Sequence, residues 1–147
     1  MSADDSHSLS RFVTAQSAVY DTALGELRRG RKETHWMWFV FPQLDGLGSS
    51  EMALRYAVRN LEEARAYLAH PILGPRLEEC AQAVLDVPGK SALEILGAPD
   101  DLKLRSCATL FREVAGPQNR FQAILDRFFS GEPDSRTLEL LRRGRPE

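Results

Sequence analysis

Apolar residues recur at helical spacing between Leu9 and Leu27 (Leu9, Phe12, Val13, Val19, Tyr20, Ala23, Leu24, Leu27), which predicts an amphipathic helix stopped at Gly30. The pattern then changes. From Trp36 to Pro42 seven consecutive residues are apolar, with His35 before them and Gln43 after. Such a run predicts a short helix or an extended segment crossing the core, with neighbours pointing to different sides. It marks either the centre of the core or the floor of a pocket, and its two polar ends need partners.

Beyond it, glycines make a loop of Leu44 to Ser50, and a serine cap starts a short helix carrying Met52, Leu54 and Tyr56. Asn60 with Glu63 resembles a capping box for a helix that ends at His70-Pro71, and Pro71 can open the next one, which runs to about Asp86. Val87-Pro88-Gly89 breaks the chain before a second capping box, Ser91 with Glu94, on a helix to Leu96. Gly97-Ala98-Pro99 turns into a helix with Asp100 and Asp101 at its start, stopped at Gly116-Pro117. Helices over Asn119–Phe129 and from Asp134 through Leu141 complete the series. No stretch alternates as a strand would. The expectation is an all-α, single compact domain of about seven helices over residues 1–147, with no significant sheet and frayed tails at 1–7 and 143–147.

Composition narrows the function classes. At 147 residues the chain can bury a core without metals or disulfides, and a net charge of -2 argues against general nucleic-acid affinity. Cys80 and Cys107 sit on apolar helix faces with no Cys-x-x-Cys pairing, so both read as buried thiols. The polar, acidic beginning lacks the features of a signal peptide and no segment approaches membrane-spanning length, so a cytoplasmic protein with no membrane partner is expected.

Candidate chemistry comes from polar residues on apolar faces. Gln16 lies within the apolar arc of the first helix, Arg76 edges the face of Leu73, Leu77 and Cys80, and Lys103 edges that of Leu104, Cys107, Leu110 and Phe111. Each has a plain explanation: an amide tied to a loop carbonyl, or a long side chain laid over the core edge with its charge in water. Asp101, Arg105 and Arg112 are expected on the solvent side of the same helix as Lys103. Taken together, Gln16, His35, Trp36, Trp38, Gln43, Arg76 and Lys103 supply what a pocket for a planar anion needs: flat apolar walls, amides and cations. The expected partner is a small anionic ligand, a nucleotide-like one among the options.

Enzyme signatures are missing. There is no nucleophile elbow, phosphate loop, Gly-x-Gly-x-x-Gly or His-Glu-x-x-His, and the three histidines (His7, His35, His70) assemble no metal cluster, so neither metal nor cofactor is expected. If a reaction is catalysed, His35 is the best acid–base candidate, with Asp100 or Asp101 behind it, though both aspartates suit a helix start. Gly46 to Ser50 would set backbone amides at a helix N-terminus, although a short glycine loop alone specifies little. A protein-interaction module with an exposed helix face is the third reading.

The stretches Arg11-Phe12-Val13-x-Ala15-Gln16, Lys32-x-x-His35-Trp36-Met37-Trp38-Phe39-Val40-Phe41-Pro42-Gln43, Gly46-Leu47-Gly48-x-Ser50, Tyr67-Leu68-x-His70-Pro71-x-Leu73-Gly74-x-Arg76-Leu77 and Asp101-x-Lys103-Leu104-x-Ser106 through Phe111 together resemble the bacterial family known as domain of unknown function 1810. The resemblance covers nearly the whole chain. It implies a compact all-α domain of about this length and no established activity. Cys107-Ala108 departs from the Ser-Met or similar pair expected before Thr109, a change confined to the apolar face.

Overall fold

The spacing between Leu9 and Leu27 does not give one helix. In a computed structural model describing residues 7–115 and 119–143, α1 (Ser10–Ser17) ends and α2 (Tyr20–Arg28) begins anew. Two local causes act at the break. The Ser17 hydroxyl donates back to the Thr14 carbonyl at 2.7 Å, and Val19 leaves helical geometry at φ -126°. The break lets the two pieces face different partners: α1 lies on the aromatic run and α2 on the long helix α6 (Leu73–Leu85).

Ten helices are present among the described residues, against the seven or so expected. The excess comes from the break of the first helix into α1 and α2 and from the short α3 (Met37–Val40) within the aromatic run, whereas α4 (Glu51–Arg55) and α7 (Ala92–Leu96) are the short capped helices expected. The remainder are α5 (Leu61–Ala69), α8 (Asp100–Ala115), α9 (Arg120–Phe128) and α10 (Ser135–Arg143). Strand-like pairing among the described residues amounts to one isolated parallel bridge, Leu44 with Val58, in which Val58 donates to the Gln43 carbonyl at 2.8 Å. The terminal residues 1–6 and 144–147 and the Gly116-Pro117 stop lie outside the described residues.

Start signals in the sequence are realised as side-chain caps. Ser50 accepts from Ala53 N–H, Ser91 and Glu94 close a reciprocal box, and Asn119 accepts from Gln122 N–H. The Asn60 box is only half made. Asn60 accepts from Glu63 N–H, but the Glu63 carboxylate is buried and held by Arg11 at 2.9 Å and Arg59 at 3.1 Å. His70 ends α5 and also caps α6, its Nδ1 accepting from the Ile72 and Leu73 N–H groups at 3.1 and 3.2 Å. Helix α6 therefore starts at Leu73, not at Pro71.

Two helices carry the centre. Helix α8 packs on α5, α7, α9 and α10, and α6 packs on α2, α3, α5 and α9. From Ser106 to Phe111 every residue of α8 is buried, as a helix surrounded on all sides must be. Enclosure reaches its polar edge as well, since Asp101, Arg105 and Arg112 are half-buried and not on a solvent face. Where α5 meets α6 the backbones touch: a Cβ on Gly74 would stand 2.1 Å from the Leu68 carbonyl oxygen. Only glycine fits there. Both cysteines are free and buried, and burial pushes the Cys80 thiol up to about 12 and the Cys107 thiol well above its ordinary range. No helix among the described residues is long and apolar enough to cross a membrane.

Candidate functional site

Helix α3 turns the aromatic run so that its tryptophans take opposite roles. Trp36 is wholly buried and donates its indole N–H to Glu26 Oε1 at 2.8 Å. Glu26 is itself buried on α2, and its carboxylate also accepts from the Glu33 and Thr34 N–H groups at 2.8 and 3.0 Å and from the Thr34 hydroxyl at 2.7 Å. Burial by itself would raise the Glu26 carboxyl, but these four donors favour the charged form more strongly and bring it from 4.5 down to about 2. Every acceptor site that matters is filled by the protein. Trp36 is core, not wall.

Gln16 and Arg76 meet each other away from Trp38. Gln16 is 2% exposed; its amide donates to the Phe39 carbonyl at 2.6 Å and to the Tyr67 hydroxyl at 3.0 Å, and it accepts from the Arg76 guanidinium at 3.3 Å. Arg76 also stands over the Tyr20 ring, 4.8 Å from its centre. The polar atoms of this pair are used to join α1, α3, α5 and α6. His35 is exposed, and among the described residues no hydrogen bond or ion pair reaches its ring. A carboxylate that could orient it as an acid or base is therefore lacking within hydrogen-bond reach.

The other three predicted residues come together. Trp38, Gln43 and Lys103 line one cleft of about 410 Å³ between the Leu47–Ser50 loop and the α8 and α10 starts. That volume lies within the range of ~300–1,000 Å³ usual for small-molecule sites. Asp134, Arg136 and the large exposed apolar side chain of Leu102 line it as well. Trp38, Gln43, Gly48 and Ala53 also border a recess of about 20 Å³, space for roughly one water molecule.

Charge around the cleft is arranged in a ladder. Asp100 pairs with Lys32 at 3.0 Å and with Lys103 at 3.2 Å. Each lysine in turn lies over an indole, Lys32 5.2 Å from Trp36 and Lys103 5.1 Å from Trp38. One carboxylate thus serves two cations, and the charged residues that line the cleft itself are Lys103, Arg136 and Asp134. Among the described residues neither Arg136 nor the half-buried Gln43 side-chain amide has a hydrogen-bond or ion-pair partner. Asp134 caps α10: one carboxylate oxygen, Oδ2, accepts from the Thr137 N–H at 2.9 Å and the Thr137 hydroxyl at 2.5 Å. Its own N–H donates to Thr109, which fixes α10 against α8 and so sets where Arg136 stands.

Arg136 and Asp134 escape detection in the sequence because nothing in the α10 pattern tells which part of α8 it meets. Glu26 had a signal: it lies three residues after Ala23 and one before Leu27, on the same apolar face as Gln16's helix was read to have. A second groove, about 460 Å³, runs between α2, α6 and α9, but its arginines are paired within it, Arg28 with Glu79 at 3.6 Å and Arg120 with Glu78 at 3.4 Å. It contains none of the seven candidates. Among the described residues no group of three or more His, Cys, Asp or Glu side chains could hold a metal ion.

The crystal structure of the conserved hypothetical protein Rv1873 from Mycobacterium tuberculosis is similar to this chain at 54% identity, with a TM-score of 0.91 over 92% of this chain and 97% of that one. No curated protein matches the chain. The model of the family DUF1810, protein of unknown function, matches residues 6–141, and the chain belongs to that family.

Proposed function

We propose that the protein binds a small anionic ligand in the cleft of Trp38, Gln43, Lys103 and Arg136, as a cytoplasmic binding protein. The observation that carries this reading is that an indole, the Gln43 amide and two cationic side chains, Lys103 and Arg136, line one opening. Gln16, Arg76 and Trp36 support the cleft by holding α1, α3 and α6 together and do not touch the ligand. His35 stays outside it.

Of the other two readings, an enzyme using His35 has no observation in its favour, since the ring is exposed with no carboxylate bonded to it. An interaction module has little: the exposed large apolar residues Leu54, Ile72, Leu93 and Leu102 sit on four different elements, as scattered surface residues normally do.

A melting screen against nucleotides, sugar phosphates and ADP-ribose-like compounds tests the proposal. A true ligand at about a hundred times its Kd adds about 2.7 kcal/mol, a rise of several degrees for a domain of this size. Lys103→Met should remove that rise while leaving the unliganded melting temperature within about 2 °C of wild type, because the side chain is only half-buried. No rise with any compound, or the same rise in Lys103→Met, contradicts the reading.

A further inference from the structure

A site for a bare anion would not be built this way. Asp134 lines the same cleft as Lys103, and only its Oδ2 is committed to the Thr137 cap, leaving Oδ1 without a partner among the described residues. A carboxylate oxygen facing an inorganic phosphate or a small carboxylate repels it; facing a sugar it accepts hydroxyl hydrogens. Trp38 lines the cleft with an aromatic surface, which a flat base covers more completely than the C–H groups of a sugar phosphate can, and the Gln43 amide in the same lining offers two donors and an acceptor in one plane. From these three departures we infer that the ligand is a nucleoside 5′-monophosphate. The base stacks on Trp38 with its edge against Gln43, the ribose hydroxyls donate to Asp134, and the phosphate lies between Lys103 and Arg136.

Size favours one nucleotide over two. The cleft's 410 Å³ is near the lower end for small-ligand sites. The assignment rests on the anion-cleft reading above, and it adds the base and the sugar.

Calorimetric titration of the full chain with AMP, CMP and ribose 5-phosphate separates the two. The nucleotides should bind at least about tenfold more tightly than ribose 5-phosphate, the gain that stacking one base on an aromatic side chain commonly gives. Trp38→Leu should narrow the gap between AMP and ribose 5-phosphate to within about twofold, and Trp38→Phe, which keeps a stacking face, should leave an intermediate gap and guards against loss of fold. If AMP and ribose 5-phosphate bind equally and Lys103→Met abolishes both, the nucleotide assignment is overturned and the anion cleft stands. Should neither nucleotide nor sugar phosphate bind, both readings fall.

Discussion

Trp36 and Trp38 are two residues apart on one helical turn, yet one is closed off and the other left open. Around Trp36 every polar neighbour is satisfied internally: Glu26 takes four hydrogen bonds and the indole N–H is one of them. Around Trp38 fewer groups are tied down: Lys103 pairs with Asp100, while the half-buried Gln43 amide and the exposed Arg136 have no partner among the described residues. A rigid, fully bonded knot sits directly behind an opening whose groups await partners. Precise placement of a binding site needs such backing, because α3 can hold Trp38 still only if its other side is fixed.

The comparison is broken most severely by Trp36→Ala. Removing a wholly buried indole opens a cavity and strips Glu26 of a donor, and should cost about 3–5 kcal/mol in chemical denaturation. Trp38→Ala should cost less than about 1.5 kcal/mol, since its ring is only half-buried. Equal losses would mean that the two rings do the same job.

Acid should open the closed side selectively. Glu26 sits near 2 in the folded protein against an ordinary 4.5, so its contribution is complete above about pH 5 and is lost as pH falls toward 2. The difference amounts to about 3 kcal/mol. In Glu26→Gln the decline of stability over that range should be flatter by a similar amount, and an unchanged pH profile would remove Glu26 as its cause. A step smaller, Gln16→Leu should cost about 1–3 kcal/mol by leaving the Tyr67 hydroxyl and the Phe39 carbonyl unpaired, while the affinity of the cleft for AMP stays within about twofold.

Much of the helical framework was legible because its signals are local: Ser50, Asn60, Ser91 and Asn119 are capping residues wherever they stand, and each begins the helix it was read to begin. The break at Ala18–Val19 was not, since Val19 fits the apolar spacing of an unbroken helix as well as that of a broken one. Within the site, helical wheels pointed to Gln16, Arg76 and Lys103 but could not say who their partners are. Gln16 and Arg76 prove to be each other's partners, whereas Lys103 and Gln43 share an opening. The difference depends on how α3 and α8 meet, which no local pattern encodes. Glu26 shows the same limit from the other side, for its four donors lie on a loop whose path is set only by the finished fold.

The smallest effect sharpens the open side. Asp100→Asn should lower stability, because Lys32, whose side chain is only 9% exposed, loses its ion-pair partner. It should raise AMP affinity a few-fold by taking one negative charge from the margin of the cleft, with the gain fading at high salt. A fall in affinity would instead make Asp100 the residue that positions Lys103.

Nuclear magnetic resonance of the indole N–H groups tests the central claim most directly, because the two tryptophans give two signals. On titration with AMP the Trp38 signal, assigned through Trp38→Phe, should move progressively to saturation, while the Trp36 signal, locked on Glu26, stays in place. A Trp38 signal that does not move at saturating nucleotide, or a response confined to Trp36, would contradict the account.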